Sequence, residues 1–305
     1  MTDPARAVHH SRPSISATRA AARVALVTCA ELPDLDPDDR LLAEALTARG
    51  VQVEAAVWDA AVDWSACDLA LLRSPWDYAQ RLAEFLAWAR GVPRLVNPAE
   101  VVEWNTDKRY LETLAAAGVP VVPTTWVTAP GTWRPADTGE LVVKPVVGAG
   151  SIDSGRYDLA VPAERDLAVA HVTRLVSAGR PVMVQPYLAA IDTDGETALL
   201  YFDGTFSHAI RKGPMLTGPD EPVEGLYKPE EISTREPTPE QLAVAGKVLA
   251  ALPFPVPLYA RVDLVPGPDG EPVLLELELT EPSLFLAHAD GAAERLAALI
   301  AATSP

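Results

Sequence analysis

The stretch VLLELELTEP, residues 273–282, combines the apolar content of a buried β-strand with three glutamates, Glu276, Glu278 and Glu281. Glutamate is a poor strand former, and a buried carboxylate is costly unless it is paired with a cation or bound to a metal ion. The fold around this strand must therefore supply partners for the carboxylates.

An upstream strand is predicted to pair with this one. The run LYARVDLV at 258–265 and the run PVLLELEL at 272–279 flank PGPDGE, whose glycines and prolines predict a turn. With residues 268–271 as the loop of a hairpin, Gly267 pairs with Pro272, and this pair sets the register of both strands.

That register places Asp263 opposite Glu276 and Arg261 opposite Glu278. Side chains two positions apart share a face of a strand, so these four side chains cluster on one side. The residues predicted to pack on the other side are Val262, Leu264, Leu275, Leu277 and Leu279. Three carboxylates beside one arginine suit a hard cation such as Mg²⁺ that carries phosphate oxygens. The alternative is a solvated face with an ordinary cross-strand ion pair.

Composition restricts the function. A chain of 305 residues with 49% hydrophobic content can bury two or more cores, and its formal charge of −17 argues against general binding to nucleic acid or to anionic membranes. No run of about 18 apolar residues predicts a transmembrane helix. Cys29 and Cys67 are too few for a disulfide framework and are interpreted as small apolar fillers in a reducing compartment. Residues 1–22 lack the apolar core of a secretory signal and predict a disordered extension of a cytoplasmic protein.

The first third of the chain alternates strand and helix patterns. A buried-strand run at 23–29 precedes a helical pattern over 38–49, and further strand runs follow at 51–58 and 68–74. This alternation predicts a small parallel sheet with helices on both faces, ending near residue 120. The first loop lacks a GxGxxG pattern, which argues against dinucleotide binding.

A second hairpin is predicted in TALLYFDGTFSHAIRK, where the Asp-Gly dipeptide at 203–204 favours a tight turn. Phe202 then pairs with Thr205, and the same register, continued for seven residues, places Glu196 opposite Arg211. The alternative interpretation of this last pair is a surface salt bridge of little energetic value.

The stretch LVVKPVVGAGSIDSG is a strand with Lys144 near its end, followed by a loop that contains Gly148, Gly150 and Gly155. Small residues and free backbone N–H groups in such a loop can surround phosphate oxygens. It is not a Walker loop, because no GK[ST] follows the glycines. A mobile surface loop is the alternative.

The order of these features resembles the ATP-grasp superfamily of carboxylate–amine ligases, which includes glutathione synthetase, D-alanine–D-alanine ligase and the ribosomal-protein glutamate ligases. The match covers roughly residues 95–290. It implies an α/β and α+β fold in which an N-terminal parallel α/β domain, 23–120, precedes two α+β subdomains that clasp ATP. These are a central subdomain with a glycine-rich lid, 121–190, and a C-terminal subdomain with a metal site, 191–305.

The resemblance also implies roles for individual residues. Those implied to contact ATP are Lys108, Lys144, the lid residues Gly148, Gly150 and Ser151, the hinge residues Gln185, Pro186, Tyr187 and Leu188, and Glu196 at the ribose. Those implied to hold Mg²⁺, or alternatively Mn²⁺, are Asp263, Glu276 and Glu278. Those implied to stabilise the transferred phosphoryl group are Lys144, Arg211 and Arg261. The usual pattern of the superfamily ends in Glu-x-Asn, so Glu278 departs from it.

Three longer strings are similar to an actinobacterial group of ATP-grasp proteins that contains the O-ureido-D-serine cyclo-ligase: RSPWDY at 73–78, WNTDKRYL at 104–111 and ELELTEPSLF at 276–285. This similarity implies a small amino-acid-like substrate. Its carboxylate, or an equivalent oxygen, is activated as an acyl phosphate and attacked by an amine to give an amide or cyclic product, ADP and phosphate.

Arg73 follows a parallel strand at the edge where open α/β sheets bind ligands, so it is predicted to grip a substrate carboxylate, with Asp77 taking the amino group. The alternative is that Arg73 pairs with a local acid while Trp76 and Tyr78 pack a domain interface. Ser283 is predicted to touch substrate, whereas Glu281 either does so or only terminates its strand.

His208 and His288 are interpreted as polar surface residues rather than as catalytic bases. Two classes of function remain open: an ATP-dependent ligase, or a non-catalytic ATP-binding regulator or phosphotransferase on the same fold. The sequence does not decide whether the chain forms a homodimer.

Overall fold

The structure is a computed structural model that describes residues 21–221, 225–227 and 230–303. The predicted extension over 1–22 lies almost wholly outside the described residues. The helices are α1 Pro37–Thr47, α2 Leu82–Gly91, α3 Ala99–Asn105, α4 Tyr110–Ala116, α5 Pro162–Ser177, α6 Ile191–Asp194, α7 Pro239–Ala250 and α8 Ala292–Thr303. None of the helices in these ranges is both long and apolar enough to span a lipid bilayer.

The first sheet is parallel and has the order β2-β1-β3-β4. Its strands are β1 Arg23–Thr28, β2 Gln52–Val57, β3 Leu69–Ser74 and β4 Leu95–Val96. Successive residues of β1 face opposite sides, so Leu26 packs in the cluster with α1 and α8, whereas Val27 packs in the cluster with α2. Both faces of the sheet are thus covered by helices, as the sequence predicts.

The central sheet is antiparallel, with the order β5-β8-β6-β7. Its strands are β5 Thr125–Val127, β6 Glu140–Pro145, β7 Gly155–Asp158 and β8 Val182–Pro186. Helix α5 covers one face through apolar side chains such as Val172 and Leu175.

The third sheet is also antiparallel and has the order β11-β10-β9-β12-β13. Its strands are β9 Glu196–Phe202, β10 Thr205–Lys212, β11 Ile232–Thr234, β12 Tyr259–Pro266 and β13 Pro272–Glu278. A capping box between Thr238 and Gln241 starts α7, which packs on β12 and β13. The predicted domain limits at 120 and 190 fall between the sheets, and they stay a prediction.

The acidic hairpin has the predicted pairs Arg261 with Glu278 and Asp263 with Glu276, but its turn is one residue longer than predicted. Pro266, not Gly267, pairs with Pro272. A bulge between Asp263 and Leu264 restores the predicted register beyond it.

The bulge also changes the position of one leucine. Leu264 pairs with Leu274, so Leu275 is the extra residue of β13. Leu275 does not join the buried cluster of Leu264 and Leu277; it packs beside Val122 and faces the cavity described below. The prediction that Leu275 packs with the other apolar residues of the hairpin is therefore wrong.

The second hairpin begins with the predicted pair of Phe202 and Thr205, but a bulge between Phe206 and His208 shifts the remainder by one residue. Glu196 consequently pairs with Lys212, and the predicted pair of Glu196 and Arg211 is wrong. A shift of one residue turns every later side chain to the other face, so Lys212 takes the position predicted for Arg211.

Candidate functional site

A cavity of about 640 Å³ lies where the three sheets meet. It is lined by Trp76 and Tyr78 from the segment after β3, by Lys144 from β6, and by Lys212 and Glu276 from the third sheet. The residues predicted to contact ATP that line it are Lys108, Lys144, Gly148, Gly150, Ser151, Gln185, Pro186, Tyr187, Leu188 and Glu196. The fold thus gathers every one of these residues around one space, and their contacts with ATP stay a prediction.

Two lysines that line the cavity, Lys108 and Lys144, differ in their partners. Lys108 Nζ donates to the carbonyl of Gly148 at 2.8 Å and lies 3.1 Å from Glu276. Burial alone would lower its pKa, but Glu276 and two further glutamates raise it. Lys144 makes no ion pair within the described ranges, and burial lowers its pKa although Glu276 and Glu196 oppose that shift. Lys144 is therefore a desolvated cation suited to an anionic ligand.

Lys212 is a cation that the sequence analysis missed. Its Nζ lies 2.6 Å from Asp263 and 2.8 Å from Glu196, and only 7% of the side chain is exposed. Burial alone would lower the pKa of Lys212, but Asp263 and Glu196 raise it. The sequence shows two adjacent basic residues, Arg211 and Lys212, at the end of β10. The bulge at Ser207 decides which of the two side chains turns towards the cavity.

Arg211 points away from the cavity. Its guanidinium donates to the backbone carbonyls of Asp194, at 3.0 Å, and Thr193, at 3.4 Å, and thereby holds the end of α6. The prediction that Arg211 stabilises a transferred phosphoryl group is corrected, because its side chain lies on the opposite face of β10 from Lys212.

The three predicted metal ligands are each held by cations. Asp263 is 1% exposed and accepts hydrogen bonds from Arg261 Nε, at 2.9 Å, and from Lys212. Burial alone would raise the pKa of Asp263, but these two cations lower it. Glu278 pairs with Arg261, and burial raises the pKa of Glu278 to about 8 although Arg261 opposes the shift. Glu276 faces Lys108.

Within the described part of the chain, no group of three or more His, Cys, Asp or Glu side chains converges on one point. Asp263 serves as the counter-ion of Lys212 and Arg261, whereas Glu276 and Glu278 line the cavity. The hard oxygen donors of these two glutamates fit Mg²⁺ in chemistry, so the predicted set of three ligands reduces to two that face the cavity.

The glycine-rich lid closes against another loop. At Gly150, with φ +61°, an added Cβ would lie 2.4 Å from the carbonyl oxygen of Leu226 and 2.8 Å from Cα of Tyr227. Only glycine fits this close approach and this backbone conformation. Tyr227 in turn makes an edge-to-face contact with Trp76, at 5.3 Å between ring centroids. The lid is thereby linked to the first sheet.

The string WNTDKRYL holds the outer edge of β13. Tyr110 Oη bonds to both the carbonyl and the N–H of Leu277, and Asn105 accepts from the N–H of Leu279 at 2.7 Å while donating to the carbonyl of Leu277 at 2.8 Å. These side chains satisfy backbone groups that an edge strand would leave unpaired. The same contacts place Lys108, which lies between Asn105 and Tyr110 in the sequence, beside Glu276.

Arg73 is fully buried, with 0% of its surface exposed. Its Nε lies 2.8 Å from Asp39, and its Nη2 donates to the carbonyl of Pro282 at 2.7 Å. The predicted grip of Arg73 on a substrate carboxylate is therefore wrong, and the alternative of a local acid partner is correct. Asp77 is also engaged, with Trp58 at 2.8 Å and Arg81 at 2.7 Å, so its predicted contact with a substrate amine is not supported.

The exit of β13 faces the cavity. Glu281 and Ser283 line it, and the Ser283 carbonyl accepts from Arg261 Nη1 at 3.1 Å. Burial raises the pKa of Glu281 to about 7, although a hydrogen bond from Tyr78 opposes the shift. Glu281 therefore faces the cavity beyond the end of β13, and Tyr78 is a partner that the sequence did not predict for it.

The predictions for the histidines and cysteines are confirmed only in part. His208 is not a surface residue: it is 7% exposed, and its Nε2 lies 2.9 Å from the Leu284 carbonyl. His288 lines the cavity. Cys29 and Cys67 are buried in the core beside α2, which confirms the interpretation as apolar fillers.

Comparisons with known proteins point to one family. Residues 24–97 match the profile of the N-terminal domain of D-cycloserine synthetase DcsG. The chain is 44% identical, over 300 residues, to the cycloserine biosynthesis protein DcsG of Streptomyces lavendulae, covering 91% of this chain and 97% of that protein.

Two solved structures are also similar to this chain. The crystal structure of D-cycloserine synthetase DcsG superposes with a TM-score of 0.82 at 40% identity, covering 93% of this chain and 100% of that one. The D-alanine–D-alanine ligase of Bacillus anthracis, solved in complex with ATP, superposes with a TM-score of 0.60 at 18% identity, covering 93% of this chain and 97% of that one. The second likeness shows the ATP-grasp fold alone.

Proposed function

We propose that this chain, which belongs to the D-cycloserine synthetase family of ATP-grasp ligases, uses ATP to activate the carboxylate of a small amino acid and closes a ring through a nitrogen of the same molecule. As a member of this family the chain is an ATP-dependent ligase that forms carbon–nitrogen bonds. The observation that carries the proposal is the cavity in which Lys108, Lys144 and Lys212 converge with the carboxylates of β13.

ATP binding draws on both antiparallel sheets. The hinge residues 185–188 of the central sheet receive the adenine, and Glu196 of the third sheet receives the ribose. Lys144 and Lys108 hold the phosphates. Mg²⁺, or Mn²⁺ in its place, would be held by Glu276 and Glu278, and it supplies charge neutralisation of the phosphates.

In the first step a carboxylate oxygen of the substrate attacks the γ-phosphorus, the bond from that phosphorus to the bridging oxygen of ADP breaks, and an acyl phosphate forms. Negative charge spreads over the transferred phosphoryl oxygens, and fixed cations stabilise such charge without reorganising. Lys144, Arg261 and Lys212 supply this field. Contact of Gly150 with residues 226 and 227 keeps water from hydrolysing the acyl phosphate.

In the second step a nitrogen of the substrate attacks the acyl carbon and inorganic phosphate leaves. The substrate class we propose is an amino acid whose side chain ends in a ureido group, as in O-ureido-D-serine, because the full-length similarity of this chain is to a D-cycloserine synthetase. The product of this route is a cyclic amide-type compound.

The test is an incubation of purified protein with ATP, Mg²⁺ and a panel containing O-ureido-D-serine, its L-enantiomer and common D-amino acids. We expect ADP, phosphate and a cyclised product with the D-ureido substrate. A parallel set of reactions in Mn²⁺ measures metal preference. AMP formation would refute the acyl-phosphate route, and ATP binding without turnover of any substrate would favour a non-catalytic regulator.

A matched pair of variants assigns the activity to the cavity. Lys144→Ala removes a cation that lines it, whereas Lys247→Ala removes an exposed lysine of α7. Activity that survives in both variants would show that the measured turnover does not come from this site.

A further inference from the structure

The backbone at the exit of β13 is fixed by three side chains, which come from β3, from the loop after β3 and from β12. Trp76 Nε1 donates to the carbonyl of Glu281 at 3.1 Å, and Arg73 Nη2 donates to the carbonyl of Pro282 at 2.7 Å. Arg261 Nη1 donates to the carbonyl of Ser283 at 3.1 Å. Because Arg73 is fully buried, this anchoring is shielded from water. Glu281 therefore projects into the cavity from a rigid support.

The Glu281 side chain lies among groups of both charges. Tyr78 hydrogen bonds to it from the segment after β3, and Tyr78 itself is 3% exposed and stacks on Phe85 at 4.8 Å. The charged or titratable groups that face Glu281 are Tyr78, Lys108 ahead of α4, Arg261 and Tyr259 on β12, and Glu276 on β13. Among the described residues none of these groups forms an ion pair with Glu281, so its carboxylate has acceptor capacity directed at the cavity.

Burial raises the pKa of Glu281 to about 7, opposed by Tyr78 and Lys108. A carboxylate whose pKa is near neutrality can accept a proton efficiently at neutral pH, whereas an ordinary exposed glutamate is too weak a base. The mechanism above uses Glu276 and Glu278 but leaves the proton of the attacking nitrogen without an acceptor.

We propose that Glu281, held in place by Tyr78, is the catalytic residue that receives the attacking nitrogen of the substrate and takes its proton. This role rests on the proposed function. As the nitrogen lone pair forms the new bond to the acyl carbon, the N–H proton passes to a Glu281 oxygen, the bond from the acyl carbon to the phosphate oxygen breaks, and inorganic phosphate leaves with that electron pair. Glu281 then returns the proton to water when the product departs.

Separate assays of the two chemical steps test this role. Hydroxylamine is uncharged near neutral pH and intercepts acyl phosphates without enzymatic help, so hydroxamate formation reports the first step, whereas the cyclised product reports both. Glu281→Gln keeps the size and a hydrogen-bond acceptor for Tyr78 but cannot take a proton. We expect this variant to form hydroxamate within about twofold of wild type and cyclised product about 10²-fold more slowly.

The pH profile and conservative variants complete the test. Cyclisation by wild type should rise with pH as Glu281 ionises, and this rise should be lost in Glu281→Gln and retained in Glu281→Asp. Tyr78→Phe should shift the rise to higher pH, since a hydrogen bond that favours the carboxylate is removed. Glu112→Gln on the exposed face of α4 is the control for the substitution itself.

The outcomes separate the two proposals. Absence of substrate-dependent hydroxamate with wild type would overturn the proposed function and the role of Glu281 with it. Hydroxamate formation with unchanged cyclisation in Glu281→Gln would overturn only the role of Glu281. Equal loss of hydroxamate and cyclised product would show that Glu281 positions the substrate for the first step, which also overturns its role as proton acceptor.

Discussion

Replacing Lys212 by methionine removes a buried charge while keeping most of the side-chain volume. Lys212 Nζ lies 2.6 Å from Asp263 and 2.8 Å from Glu196, and the three side chains are 7%, 1% and 13% exposed. The substitution leaves two carboxylates without their shared cation in a water-poor site.

Removing one partner of a buried ion pair costs about 3–5 kcal/mol, because the remaining charge stays buried without compensation. Arg261 still lies 2.9 Å from Asp263, and Glu196 faces the cavity, so the lower end of the range, about 3 kcal/mol, is expected. The raised pKa of Lys212 means that the folded state gains from the lysine charge at neutral pH, and the gain is lost only as pH rises through that elevated value. Turnover should fall about 10²-fold in addition, as for other fixed charges at a developing anion.

The assay is urea unfolding beside ATP-dependent turnover, both corrected for the folded fraction. Arg211→Met is the matched control. Arg211 is next to Lys212 in the sequence, but its side chain is part-exposed and donates only to two backbone carbonyls. We expect it to lose about 1 kcal/mol and to keep its turnover. Equal losses in the two variants, or a larger loss of turnover in Arg211→Met, would refute the register argument and restore the arginine as the phosphate-facing residue.

Three further predictions follow from the same structure. Arg73→Met should lower the free energy of unfolding by about 3–5 kcal/mol, because Asp39 loses its buried partner; an unchanged urea midpoint would contradict this reading. Lys144→Ala should reduce kcat about 10²-fold without a loss in melting temperature, since it makes no ion pair within the described ranges and its burial disfavours its charge; a melting loss that explains the whole fall in activity would make it structural. For Glu281, burial raises the pKa to about 7, above the unfolded value of about 4.3, so the neutral carboxyl stabilises the fold fully below about pH 4 and that contribution disappears as pH rises through about 7. Melts at about pH 5 and about pH 8 should therefore show Glu281→Gln gaining stability relative to wild type at the higher pH, and a constant difference would argue against the shifted pKa.

Local patterns were sufficient for much of this protein. The alternation of strand residues placed Asp263 with Glu276 and Arg261 with Glu278, because the period of two is a property of the strand itself. The alternation of strand and helix in the first third of the chain likewise predicted a parallel sheet with both faces covered. The three longer strings predicted the family, and the cavity gathers residues from each of them.

Single-residue irregularities were beyond local reasoning. In the acidic hairpin a longer turn and a compensating bulge cancel, so the predicted pairs are still formed but Leu275 lies on the other face of the strand. In the second hairpin one bulge has no compensation, and Lys212 replaces Arg211 at the cavity. The periodicity of side chains over many residues identifies a strand or a helix in the sequence. A bulge is a change of one residue, and its position depends on packing against neighbouring strands.

The partner of each buried charge was decided by the tertiary structure. Arg73 meets Asp39, 34 residues earlier, and the carbonyl of Pro282, 209 residues later. A sequence window shows that an arginine follows a strand, but whether its guanidinium faces a substrate or the protein depends on which groups the fold brings within hydrogen-bonding distance. The sequence by itself determined the strands, the family and the set of chemical groups. The tertiary structure decided which of those groups face the cavity, because a buried charge is stable only where distant parts of the chain supply its partner.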